Sequence, residues 1–365
     1  MIYLDANATE PLRPEARAAM LAALELTGNP SSVHAAGRAA RRLLEDAREA
    51  LAARFGARSQ DVVFTSGGTE ADALAIHALG ESRRLIIGAT EHDAVRAAAP
   101  GALVLPVDRS GLTNVDALRD YLTMSRPTLV CLMLANNETG VIQPVSRAAE
   151  LCRRHGAYLH VDAVQAAGRM EVGLRALGAH SLAISSHKLG GPTGAGALLL
   201  DPEVTAIGPL LAGGGQERGR RGGTPPLPAI AGFAAAAWAA SDAASLAPLR
   251  DAAEVAATYA GALVCGSGAP RLENTTCLAL PGVRADAQVM ALDLDGIAVS
   301  AGAACSSGKV AASHVLAAMG LGTLAGQAIR VSVPWNAAPA DIEAFSGAYS
   351  RMAERLRVAL ARPAA

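Results

Sequence analysis

Lysine is scarce in this chain. Of the 32 lysines and arginines only Lys188 and Lys309 are lysine, so arginine is the ordinary surface cation. Lys188 stands in Ser185-Ser186-His187-Lys188-Leu189-Gly190-Gly191-Pro192, just after the apolar run Leu182-Ala183-Ile184. A buried amine loses proton affinity and becomes a nucleophile or base, which a guanidinium cannot do. A solvated loop lysine is the commoner role; the scarcity of lysine raises Lys188 above it.

Four further segments carry residue types suited to chemistry. Ser66-Gly67-Gly68-Thr69-Glu70 follows Val62-Val63-Phe64 and opens a helix pattern. Free amides at a helix start, glycine's close backbone approach and a hydroxyl make an anion cradle; a tight turn with Thr69 as N-cap is the plainer reading. His160-Val161-Asp162-Ala163-Val164-Gln165 ends an apolar run, where open α/β sheets gather ligand groups. Asp162 there could pair with a protonated ring nitrogen, or simply cap a helix. His92, in Glu91-His92-Asp93, could stack on a planar ligand and move protons near neutral pH; a surface or capping histidine is more usual. Cys305 lies in Ala301-Gly302-Ala303-Ala304-Cys305-Ser306-Ser307-Gly308. Core cysteines more often have bulky apolar neighbours, as Cys131 and Cys277 do. A thiol among small residues suits nucleophilic chemistry, though an inert loop thiol fits almost as well.

An anion cradle, a carboxylate, an amine and an imidazole at successive strand ends are the parts that pyridoxal phosphate requires. The fingerprints of nucleotide sites are absent: no Gly-Lys-Ser/Thr follows the glycines and no dinucleotide glycine pattern occurs.

The elements that must position these groups follow from periodicity. Leu43, Ala47, Leu51 and Phe55 recur every four residues, so 34–57 reads as a helix ended by Gly56. From about 60 to 200, short apolar runs alternate with helical stretches: 62–64, 85–87, 129–134, 158–161, 182–184 and 197–200. Such runs suit strands buried on both faces of a mostly parallel α/β sheet. A Gly-rich tract, 213–223, precedes an Ala-rich helical stretch at 229–260. Strands then become scattered, as at 277–280 and 329–333. The last helix puts Ile342, Phe345, Tyr349, Met352 and Leu356 on one face.

Composition bounds the rest. A chain of 365 residues exceeds one ordinary core, and two domains are expected: 16–245, and a smaller one of 1–15 with 246–365 carrying the Cys305 loop. Half the residues (51%) are hydrophobic and the net charge is -1, which excludes disorder and a chain-wide polycation for nucleic acid. No apolar run approaches the roughly 20 residues of a bilayer helix. Met1-Ile2-Tyr3-Leu4-Asp5 lacks the basic start of a signal peptide, so a cytoplasmic location is expected. The five cysteines form no CxxC pair, and neither zinc nor another metal is expected.

With these motifs in register the chain resembles the NifS/IscS-like cysteine desulfurases, among the class V, fold-type I pyridoxal-phosphate enzymes. The resemblance runs from Tyr3-Leu-Asp-Ala-Asn-Ala-Thr9 to about Ser332. It includes Gly28 to His34, Thr65 to Asp72, Ala135-Asn-Asn-Glu-Thr-Gly140, Gly213 to Thr224, Gly302 to Ser307, His314-Val-Leu316 and Ile329-Arg330. It implies an α/β fold with a large domain built on a mostly parallel sheet and a smaller α+β C-terminal domain. By resemblance, Lys188 would hold the cofactor covalently, Asp162 would pair with its ring nitrogen, Gln165 with its ring hydroxyl, and His92 would stack on the ring. Gly68, Thr69, Ser185 and His187 would hold the phosphate. Thr224 would reach the phosphate in the second subunit of a homodimer. Asn137 would lie beside the cofactor and Arg330 would bind the carboxylate of L-cysteine. Cys305 would take the sulfur as a persulfide, for an iron–sulfur scaffold or another sulfur acceptor.

Some positions depart from the family pattern. Gly302-Ala303-Ala304 replaces Gly-Ser-Ala, Pro225-Pro226 follows Thr224, Gly308 to Ala312 replaces a Leu-Glu-Pro segment, and 35 residues follow Arg330. These bear on the acceptor more than on the chemistry. The alternatives are a lyase acting on selenocysteine or cysteine sulfinate, and a sulfur-relay scaffold without turnover.

Overall fold

The computed structural model describes residues 1–124, 126–204, 207–240, 246–302 and 312–361, with side chains as far as Leu356. The strands are β1 (Ile2–Tyr3), β2 (Val62–Thr65), β3 (Arg84–Gly88), β4 (Leu103–Leu105), β5 (Thr128–Met133), β6 (Tyr158–Asp162) and β7 (Ser181–Ser185). They continue with β8 (Gly196–Leu200), β9 (Leu263–Cys265), β10 (Thr275–Ala279), β11 (Ile297–Ala298), β12 (Ser300–Ala301) and β13 (Ala328–Ser332). The first four helices are α1 (Pro14–Leu24), α2 (Ala35–Phe55), α3 (Gly68–Gly80) and α4 (Asp93–Ala98).

The larger sheet has seven strands in the order β2-β8-β7-β6-β5-β3-β4. Pairing is parallel from β4 through β7, while β8 runs antiparallel to both of its neighbours. Every residue of β2, β5, β7 and β8 is buried. The absence of polar alternation reflects helices covering both faces. β4 escaped the periodicity because it is a short edge strand with Leu103 and Val104 exposed.

The smaller sheet is antiparallel, in the order β12-β13-β10-β9. Its core packs Leu278, Ile329 and Val331 against Phe345, Tyr349 and Met352 of the last helix, Pro339–Ala361. The Ala-rich stretch is two helices, Leu227–Ala239 and Ala247–Tyr259. The expected domain border near 245 lies outside the described residues. Helix α2 is capped by the His34 ring, which accepts from Gly37 N, and ends at Gly56 with φ 70°. Among the described residues no helix is long and apolar enough to cross a membrane.

Candidate active site

The larger sheet delivers its polar residues to one end. β2 ends at Thr65 and turns through Ser66 and Gly67 into α3; β6 ends at Asp162; β7 ends at Ser185 and runs through a tight turn to Lys188. Beyond β3 and β5 lie His92 and Asn137. These carboxyl ends of the parallel strands open on a cavity of about 360 Å³. Gly68, Thr69, His92, Asn137, Asp162, Gln165, Ser185, His187, Lys188 and Arg330, all expected from the sequence, line it. Thr224 does not; it lies in a separate cleft with Ser66, Glu217 and Arg221. Cys305 and Lys309 lie outside the described residues. On either side of that segment, Ser313 bonds Glu138 and Gly302 leaves room for its carboxylate. Ser313 Oγ donates to Glu138 Oε2 at 2.5 Å, and a Cβ built on Gly302 would sit 2.5 Å from the same oxygen.

Lys188 Nζ donates to the carbonyls of Asn7 and of Ala8, the latter at 3.0 Å. Burial, then the nearby Arg330 and Arg169, bring its amine down to about 7. Asp162 Oδ1 accepts from Val164 N at 2.9 Å, which ties a turn rather than the expected helix start, since the next helix begins only at Leu174. Its carboxylate also faces the cavity and makes no ion pair among the described residues. Burial, then Asp72, raise it above the ordinary carboxylate range. Beneath it, Asp72 Oδ1 meets His160 Nε2 at 3.0 Å, and His160 Nδ1 meets Ser181 Oγ at 2.8 Å. Burial holds that imidazole down at about 4.

His92 both caps and faces the cavity. Its Nδ1 accepts from Ala94 N at 3.1 Å, so the neutral ring carries its proton on Nε2 and is a donor there. Thr69 is not an N-cap: Gly67 holds that place with no side-chain cap, which leaves the first amides of α3 unsatisfied from within the chain. Ser185 Oγ is buried without a partner. A Cβ on Gly68 would lie 2.6 Å from Val164 Cγ2, so close packing is what requires glycine there. Gln165 Nε2 donates to Asn7 O at 3.0 Å, and Arg169 Nη1 donates to Gln165 Oε1.

Arg330 reaches the cavity from β13. Its Nη2 pairs with Asp5 Oδ1 at 2.7 Å, Nη1 donates to Asn137 O at 3.0 Å, and Nε is buried without a partner. Asp5, Asn7, Asp72 and Ser300 belong to this neighbourhood but were given no role from sequence. Asp5 and Asn7 stand within the Tyr3–Thr9 motif, the one local signal that could have marked them.

Unsatisfied helix amides, an orphaned hydroxyl, a carboxylate without a cation and an amine of lowered basicity form a donor set that fits pyridoxal phosphate. The family model described as aminotransferase class-V matches residues 2–345. A cysteine desulfurase of Cereibacter sphaeroides is 44% identical over 375 residues, covering 98% of this chain and 96% of that protein. An IscS-like cysteine desulfurase of Mycobacterium tuberculosis is 38% identical, covering 94% of each. The X-ray structure of a NifS-like protein from Rickettsia africae superposes with a TM-score of 0.90 at 33% identity, covering 97% of this chain and 99% of that one.

Proposed function

The chain belongs to the aminotransferase class-V family and, within it, to the pyridoxal-phosphate-dependent cysteine desulfurases of fold-type I, and we propose how its own residues carry the reaction. Pyridoxal phosphate supplies an electron sink for the charge left when the substrate's Cα loses a proton. Lys188 holds the cofactor and is the base at Cα, a role supported by its lowered basicity. Asp162 holds a proton on the ring nitrogen, and Gln165 donates to the ring hydroxyl. Gly68, Thr69, Ser185 and His187 hold the phosphate, and His92 covers the ring. Arg330 takes the substrate carboxylate beside Asn137.

The Cys305 thiolate attacks the substrate sulfur. One S–S bond forms and one C–S bond breaks. The bonding pair stays with the three-carbon fragment, which gains a proton at Cβ, recovers one at Cα and leaves as L-alanine. Cys305 keeps the sulfur as a persulfide. Ser300 on the cavity wall is five residues before Cys305 in the sequence.

In this proposal 16–245 is the large domain, and 1–15 with 246–365 the small one. The enzyme is a cytoplasmic homodimer, with Thr224 serving the partner's cofactor, and it passes sulfur to an iron–sulfur scaffold or a related acceptor. Light scattering giving the mass of one 36.9 kDa chain would remove the dimer.

The observation that carries the proposal is the convergence of Lys188, Asp162 and Arg330 on one cavity. Purified protein incubated with L-cysteine should release alanine and gain 32 Da on Cys305 by mass spectrometry, about one sulfur atom per site. Lys188→Ala should lose both. Full cysteine turnover in Cys305→Ala would instead indicate a lyase.

A further inference from the structure

Arg330 is 6% exposed and its charge is already engaged. Asp5 Oδ1 takes Nη2 at 2.7 Å, and Ser300 Oγ donates to Asp5 Oδ2 at 2.9 Å. Asp5 is itself fixed, because its segment pairs with β13 at Ser332: Ser332 N donates to Leu4 O at 2.9 Å and Ala6 N to Ser332 O at 3.1 Å. The guanidinium is therefore clamped on one side by a carboxylate and on another by the Asn137 carbonyl. Its Nε is buried without a partner, and the side chain lines the cavity.

We infer that Asp5 is a positioning and specificity-determining residue. It holds Arg330 so that a single carboxylate can dock, and its negative charge disfavours ligands carrying a second acidic group. The inference rests on the reading of Arg330 as the carboxylate site and deepens it. A lone buried guanidinium would attract dianions over monoanions. With Asp5 beside it the pair is close to neutral, so a monoanionic amino acid loses little and a dianionic one meets net repulsion. L-Cysteine fits this site; cysteine sulfinate does not.

Three variants of the holoenzyme separate charge from position, read by calorimetric binding of two unreactive ligands, L-alanine (one carboxylate) and L-aspartate (two). Asp5→Asn keeps an acceptor for Arg330 and removes the charge. The aspartate-to-alanine affinity ratio should rise about tenfold. Asp5→Ala removes the anchor as well, and the KM for L-cysteine should rise about tenfold with a smaller change in kcat. Arg330→Met should weaken binding of L-alanine but not of ethylamine, which has no carboxylate. An unchanged ratio in Asp5→Asn overturns the inference while leaving the Arg330 reading intact. Unchanged alanine binding in Arg330→Met overturns that reading instead. Circular dichroism of Asp5→Asn confirms that the ratio is measured on folded protein.

Discussion

At Lys188 two carbonyls and a buried wall do what the local sequence cannot. Asn7 O and Ala8 O accept from the amine, and burial with Arg330 and Arg169 lowers its basicity to about 7. Half of such amines are free base at neutral pH. Acetic anhydride labelling of Lys188 in cofactor-free protein should rise about tenfold between about pH 6 and about pH 8 and then level off. In urea-unfolded protein the same lysine should keep gaining reactivity to about pH 10.4. If the folded profile follows the unfolded one, the amine is solvated and the reading of Lys188 fails. Linkage gives the sign for stability. Between about 7 and 10.5 the unfolded state holds a proton on Lys188 that the folded state has released. The cofactor-free protein should therefore gain stability from this group as pH rises through that window. A Lys188→Met variant should lack that gain in urea titrations.

Elements decide how tightly the cradle is held. The antiparallel strand β8 lies against the turn that starts α3. A Cβ on Gly196 would approach the Gly67 backbone to between 2.6 and 2.9 Å. Backbone cannot rotate away as a side chain can, so Gly196→Ala should displace the α3 amides. The expected result is at least about tenfold weaker cofactor binding in a spectroscopic titration, with a stability loss of about 1–3 kcal/mol. The Gly-rich segment is anchored just as specifically. Arg48 of α2 pairs with Glu217 through Nη1 at 2.6 Å and Nη2 at 2.8 Å, and Phe64 N donates to Glu217 Oε2 at 2.8 Å. Glu217 and Arg218 have left-handed backbones, at φ 49° and 60°, a conformation that non-glycine residues hold only under outside constraint. Arg48→Ala strands a buried carboxylate and should cost about 3–5 kcal/mol by chemical denaturation. Periodicity gave α2 almost to the residue, because its apolar stripe and Gly56 are local signals. It could not divide the Ala-rich stretch, since alanine favours helix without marking a face.

Across the whole molecule the first nine residues join the two sheets. β1 pairs with β11, Leu4 is buried in the smaller core, and Asn7 bridges outward. Asn7 O accepts from Lys188 and Gln165 on the larger-sheet side. On the smaller-sheet side Asn7 Nδ2 donates to Thr275 Oγ1 at 3.0 Å, and Asn7 N to Ser332 Oγ at 3.0 Å. Asn7→Ala breaks the side-chain half of that joint and leaves Thr275 and Asn274 short of a buried partner. A loss of about 2 kcal/mol in the unfolding free energy is expected, together with faster cofactor release. Release at the wild-type rate would show that the segment is only a cover.

The sequence alone determined which residue types stand at the ends of the buried strands, because each strand's burial and each turn's glycines are written within a few neighbouring positions. The parallel sheet and the gathering of Lys188, Asp162, His92 and the Gly67–Thr69 turn were legible on that basis. Only the tertiary structure decided the partners of those groups: Asp5 on Arg330, Asn7 on Lys188, Asp72 on His160, and Thr224 in a cleft of its own. Such pairs are separated by tens to hundreds of positions, and no local pattern records them. Their distances are fixed by how the two sheets and the first residues pack together.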